Sequence, residues 1–158
     1  FGRIGRAVAD VFAFMGCRVS FFDPFVAGDQ GAFQRRELNA LLAWADIVTL
    51  HCAKPTDGAK VLDASRIAAM KDGAWLINAA RGGLVDEDAL AEALRQGRLS
   101  GAALDVFAKE PYTGPLAELP TVVLTPHIGS YARESRVQME VDTIRNLLDA
   151  LGQATAAR

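Results

Sequence analysis

The chain of 158 residues has two histidines, His51 and His127, so the search for a group that moves protons near neutral pH is short. His127 stands in Thr125-Pro126-His127-Ile128-Gly129-Ser130, directly after an apolar run and before a long amphipathic stretch. His51 also closes an apolar run, with no unusual chemistry around it. Taken alone, each histidine fits a structural role better than a catalytic one. Arg81 lies in Asn78-Ala79-Ala80-Arg81-Gly82-Gly83, whose small residues let a ligand approach the backbone. A guanidinium there can grip a carboxylate with two hydrogen bonds; the plainer reading is a solvated loop arginine. Glu110 follows Asp105-Val106-Phe107 and precedes Pro111. A carboxylate beside an imidazole favours the charged form and fixes the tautomer. Spacing does not show that Glu110 meets His127, and a surface acid before proline is the alternative. A base for a hydroxyl proton, a cation for a carboxylate and a group that orients the base are what hydride transfer from a 2-hydroxy acid to a nicotinamide demands.

A second constellation sits at the start. Gly2-Arg3-Ile4-Gly5 fits the last four positions of G-x-G-x-x-G, with Phe1 as the first x. Gly2 lets backbone approach a pyrophosphate, the N–H groups of Arg3 and Ile4 face the anion, and Gly5 lets a helix pack against a strand. This pattern is weak by itself. Asp23 strengthens it, because it ends the next apolar run 21 residues after Gly2. A carboxylate there accepts both ribose hydroxyls and repels a 2′-phosphate, favouring NAD over NADP. The competing reading is a turn-forming Asp before Pro24.

Such side chains need strand ends to hold them. Cys17–Phe22, Asp46–Leu50, Ala74–Asn78, Gly101–Val106 and Thr121–Leu124 read as strands, and their near-continuous apolarity predicts cover on both faces, as in a parallel sheet. Ile4, Val8, Val11, Phe12 and Met15 form one helical stripe. Asp86 to Gln96 opens on Asp86, Glu87 and Asp88 and closes on Arg95 with Gly97 just beyond, which predicts a second helix. A third, about Tyr131 to Leu151, carries Val137, Val141, Ile144, Leu148 and Leu151. Residues 111–120 form the one extended irregular stretch. Alternating strand and helix with short links predicts an α/β fold, a doubly wound parallel sheet of Rossmann type.

The composition is that of a soluble globular domain, 51% apolar and 23% charged. A formal net charge of −2 gives no electrostatic reason to expect nucleic acid or an anionic membrane as partner. No apolar run approaches the ~20 residues of a membrane span. Cys17 and Cys52, in a chain without a signal-like start, are expected as reduced thiols in a cytoplasm.

Taken in order, GRIG, the strand-end Asp23-Pro24, INAARGGLVDEDAL, GAALDVFAKEP and TPHIGS resemble the successive signature blocks of the D-isomer-specific 2-hydroxy-acid dehydrogenases, over nearly the whole chain. The resemblance implies that Arg81 binds the substrate carboxylate, that His127 is the general acid/base and that Glu110 is its partner. It places Asp105 at the nicotinamide end, Asp23 at the adenosine ribose, and Arg3 and Ile4 along the pyrophosphate. Cys52, Ala79, Ala80 and Gly129 match positions that line the dinucleotide. It implies NAD as cofactor, a small 2-hydroxy or 2-oxo acid as substrate, with 3-phosphoglycerate- or hydroxypyruvate-like acids favoured, and a homodimer. Family relatives that work on formate carry Gln where Glu110 stands, so the Glu argues for hydroxy-acid chemistry. Relatives of this fold also serve as co-repressors, which makes a dinucleotide-sensing interaction module the second reading; Arg81, Glu110 and His127 together favour the enzyme.

The sequence departs from the family at its start, where the first Gly and the strand before it are missing. The expectation is an NAD-binding domain over residues 1–151 that lacks its first strand, a short tail over 152–158, and no substrate domain. Such a fragment should bind NAD weakly and turn over nothing. The loss of a central strand exposes two sheet edges, which predicts pairing between chains or a longer parent protein.

Overall fold

The structure, a computed structural model, describes residues 1–156. It falls into two compact units, one from Phe1 to Pro126 and one from His127 onward.

The first unit is α/β. In chain order it runs α1 (Arg3–Phe14), β1 (Ser20–Phe21), β2 (Gln34–Arg35), α2 (Leu38–Trp44), β3 (Ile47–Leu50), α3 (Ala64–Ala68), β4 (Trp75–Asn78), α4 (Glu87–Arg95), β5 (Gly101–Leu104), a 3-10 turn (Pro115–Glu118) and β6 (Val122–Leu124). Every strand pair is parallel. Strands β3-β4-β5-β6 form one four-stranded sheet, whereas β1 and β2 pair apart from it. The sheet is therefore in two pieces, because no described strand pairs with both β1 and β3.

Continuous apolarity in the strands has the expected consequence. Leu76 on β4 and Leu104 on β5 are buried, as are Leu42 of α2 and Leu90 and Leu94 of α4, which cover them in a single cluster. Full burial of a leucine is worth about 2 kcal/mol, so this cluster, rather than helix propensity, stabilises the unit.

Helix α4 begins and ends where its charges predict. Asp86 caps it, accepting the Ala89 N–H at 3.1 Å. Gly97, just past the end, takes φ +68, a left-handed conformation that costs glycine nothing. Short α3 has a cap at each end: Asp63 accepts the Arg66 N–H at 2.9 Å, and Arg98 donates to the carbonyls of Ile67 and Ala68 at its C-terminal end and of Met70 just past it.

Two expectations need correction. The apolar stripe of α1 is not covered: Ala9 is the buried residue, while Ile4, Val11 and Met15 are exposed. Part of the stripe instead lines an open hollow of about 800 Å³ that His51 also borders. In the second unit, α5 spans Arg133–Ala156 and so runs past Leu151 through much of the expected tail. Gly152 does not stop it, since no proline follows and alanines, the best helix formers, do. Ala157 and Arg158 of that tail lie outside the described residues.

Candidate active site

Register brings the predicted strand ends into one row. Leu50 pairs with Asn78, Asn78 with Leu104, and Leu104 with Leu124. The carboxyl ends of four adjacent parallel strands thus lie side by side, the place where open α/β sheets bind ligands. His51 and Cys52 leave the first, Ala79, Ala80 and Arg81 the second, Asp105 the third and Thr125 the fourth.

Asn78 fixes the Arg81 loop. Its side chain is buried, donates from Nδ2 to the Arg81 carbonyl at 3.1 Å and accepts at Oδ1 from the Ala80 N–H at 3.1 Å. Burying an amide is costly unless its hydrogen bonds are made, and here the loop makes them. The exposed Arg81 side chain donates to the Ala80 carbonyl at 2.6 Å, and among the described residues its guanidinium meets no carboxylate. Gly82 is required by packing: a Cβ there would overlap the Phe107 carbonyl.

That contact joins the Arg81 loop to the one carrying Asp105 and Glu110. The Asp105 N–H donates to the Asn78 carbonyl at 3.0 Å, and the Thr125 hydroxyl donates to the Asp105 carboxylate at 2.5 Å. Glu110 curls back so that Oε1 accepts the Phe107 N–H at 3.1 Å, and Glu87 of α4 accepts the Ala108 N–H at 2.7 Å.

His127 opens the second unit, three residues after Leu124. Its φ of +56 is the one left-handed angle at a non-glycine residue among those described. Histidine tolerates that region better than most side chains, and such conformations cluster at functional sites. Gly129 follows in the same loop.

The fingerprint and Asp23 come together. The Phe1 ring stacks on Phe21 of β1 at 4.0 Å, and the Phe1 backbone nitrogen lies beside Asp23 Oδ2. Asp23 Oδ1 accepts the Phe25 N–H at 2.8 Å, so the aspartate also forms the turn that Pro24 suggested. Helix α1 has no side-chain cap and no acid in its first turn. Its first intrahelical bond is Arg6 N–H to the Gly2 carbonyl at 3.0 Å, which leaves the N–H groups of Arg3, Ile4 and Gly5 without helical acceptors. A Cβ on Gly2 would meet only open space. One on Gly5 would touch His51 in ordinary contact at 3.6 Å, so packing alone does not demand glycine there. Open backbone at Gly2, unpaired helix N–H groups and a carboxylate beside them fit a pyrophosphate and its ribose.

His51 borders the same region. Thr49 Oγ1 lies 3.0 Å from its Nε2, and burial pushes the imidazole below its ordinary value, which suits a neutral, structural ring. Both cysteines are free, and burial pushes the Cys52 thiol up.

Sequence reasoning missed Asn78 and Thr125 as supports. The one available signal was polarity: each is a hydrogen-bonding residue at the end of an otherwise apolar strand.

Fold and site together define a dinucleotide-binding α/β domain with polar side chains gathered at its strand ends. The chain belongs to the family described as D-isomer specific 2-hydroxyacid dehydrogenase, NAD binding domain, which matches residues 1–129. It is 40% identical over 154 residues to a D-3-phosphoglycerate dehydrogenase of Synechocystis, covering 95% of this chain and 28% of that protein. A D-3-phosphoglycerate dehydrogenase of Mycobacterium leprae is 44% identical, with 95% and 29% covered. Among solved structures, the TT0316 protein of Thermus thermophilus superposes with a TM-score of 0.86 at 43% identity, over 96% of this chain and 49% of that one. A D-lactate dehydrogenase of Aquifex aeolicus complexed with NAD and lactic acid gives 0.82 at 30% identity, over 96% and 51%. The chain thus spans less than a third of the length of these curated relatives, which are dehydrogenases rather than interaction modules.

Proposed function

We propose that the protein carrying this chain is an NAD-dependent oxidoreductase that interconverts a D-2-hydroxy acid and its 2-oxo acid. The observation that supports this best is the register row Leu50, Asn78, Leu104 and Leu124, from which Arg81, Asp105 and, further along, Glu110 follow.

Arg81 binds the substrate carboxylate with a guanidinium that no acid among the described residues already holds, and polarises the neighbouring carbonyl. His127 gives a proton to that carbonyl oxygen during reduction and takes it back during oxidation. Glu110 is its partner, orienting the imidazole and stabilising its charged form. Bound NAD supplies the hydride acceptor and, reduced, the donor. Gly2, Arg3, Ile4 and Gly5 hold the pyrophosphate, Asp23 the adenosine ribose, and Asp105 the nicotinamide end. Cys52, Ala79, Ala80, His127 and Gly129 line the dinucleotide. Asp23 favours NAD over NADP.

The complete enzyme works as a homodimer in the cytoplasm, with the NAD-binding domain over residues 1–151. No helix among the described residues is long and apolar enough to cross a membrane.

The test is NADH oxidation by the complete protein with a panel of 2-oxo acids, followed by chiral analysis of the product. The D-hydroxy acid is expected. An L product, or no turnover with any member of the panel, would refute the proposal.

A further inference from the structure

We propose that Thr125 is a positioning residue for the cofactor: through Asp105 it sets the acceptor that receives the amide N–H of the nicotinamide. The inference rests on the place given to Asp105 in the function proposed above, and it adds a residue that function did not use.

Thr125 follows β6 as Asp105 follows β5, and the two strands end in register at Leu124 and Leu104. The backbone carries that pairing one step further. The Thr125 N–H donates to the Leu104 carbonyl at 3.0 Å, and the Asp105 N–H donates to the Asn78 carbonyl at 3.0 Å. Main-chain bonds thus fix both residues at strand ends. The Thr125 hydroxyl then crosses from one strand end to the next and donates to Asp105 Oδ1 at 2.5 Å, the short distance of a hydroxyl on a charged acceptor. Both residues are half-buried, so water competes less for this bond than it does at the exposed Arg81.

An ionised carboxylate accepts hydrogen bonds and donates none. The hydroxyl proton on Oδ1 keeps Asp105 an acceptor, and fixing one oxygen fixes the plane in which the other lies. An amide N–H suits such an acceptor, and the nicotinamide carries its amide directly on the ring. Holding that amide sets the rotation of the ring, and with it the aim of the hydride-bearing carbon at the substrate. Valine has the shape of threonine without the hydroxyl, so Thr125→Val releases the carboxylate and leaves the strand end in place.

The 3-acetylpyridine analogue of NAD tests this, because a methyl ketone replaces its amide and brings no N–H to Asp105. In the complete enzyme, kcat/KM for oxidation of a D-2-hydroxy acid is measured with NAD and with the analogue. The wild type, Thr125→Val, Thr125→Ser and Asp105→Ala are compared. Thr125→Val should lower the value for NAD by roughly tenfold, the scale of one hydrogen bond to a charged group, and that for the analogue by less than about twofold. Thr125→Ser keeps the hydroxyl and should stay within about threefold of the wild type with both. Equal losses with the two cofactors would overturn the assignment and leave Thr125 a strap between strand ends; no loss with either would overturn it as well. Asp105→Ala should show the same preference more strongly. If it loses no more with NAD than with the analogue, the place of Asp105 fails and the inference falls with it. A wild type that oxidises no D-2-hydroxy acid would instead refute the reaction itself.

Discussion

Asn78 Nδ2 donates to the Arg81 carbonyl oxygen at 3.1 Å, so a buried side chain at the end of β4 holds the loop that presents the arginine. The same amide accepts from the Ala80 N–H at 3.1 Å. Replacing it with leucine removes both bonds and leaves peptide groups of the loop without partners. Asn78→Leu is expected to lose about 1–3 kcal/mol in urea unfolding and to raise the substrate KM more than the NADH KM. Unchanged stability and KM would mean that the loop holds itself.

Gly82 and Gly2 make a contrasting pair. A methyl at Gly82 collides with the Phe107 carbonyl, whereas at Gly2 it meets open space. Gly82→Ala should destabilise by about 1–3 kcal/mol and lower kcat/KM, because the Arg81 and Glu110 loops must move apart. Gly2→Ala should stay within about 1 kcal/mol of the wild type yet weaken NADH binding. Thermal melts and a fluorescence titration distinguish the two outcomes, and matching effects from both substitutions would contradict the assignment.

Asp86 caps α4 and pairs with Lys60 at 2.6 Å. The hydrogen bond from Lys60, followed by that from the Ala89 N–H, holds its carboxyl below the ordinary aspartate value. A depressed folded value means that the unfolded chain takes up the proton first as pH falls. The stabilisation is therefore complete above the ordinary value near 4 and is lost as pH falls through the folded value. Asp86→Ala should cost about 1 kcal/mol at neutral pH, and the gap from the wild type should close in acid. Equal differences at both ends of a pH series of melts would rule this out.

Asp23 lies two residues past β1 beside the glycine-rich turn, with Oδ1 accepting the Phe25 N–H and Oδ2 beside the Phe1 nitrogen. Asp23→Ala should raise the KM for NADH by roughly tenfold and leave NADPH unaffected or improved, since a repelled 2′-phosphate is no longer repelled. Equal losses with both cofactors would leave Asp23 only its turn.

Much of this was legible in the sequence where one local rule decided the outcome. β3, β4 and β5 are apolar but for Thr49 and Asn78, and α4 announces itself through Asp86, Arg95 and Gly97. Where the outcome depended on neighbours, the sequence was silent. β2 is the polar pair Gln34–Arg35, defined only by its bonds to β1. The run Cys17–Phe22 yields only Ser20–Phe21 as strand, because β2 is that short. Ile4, Val8 and Val11 have the period of a buried stripe, but burial needs a partner surface, and the stripe borders a hollow instead. In the site, Arg81, Glu110 and His127 stood out by residue type and block order. Asn78 and Thr125 did not, because their roles arise from register and from partners that only folding brings near.

His127 carries the central claim, and its replacement tests it most directly. In the complete enzyme, His127→Ala should leave NADH affinity within about twofold of the wild type and lower kcat for 2-oxo acid reduction by roughly 10²- to 10⁴-fold, the usual contribution of a general acid. Activity kept at the wild-type level would contradict the account and return His127 to the structural role that a lone histidine first suggests.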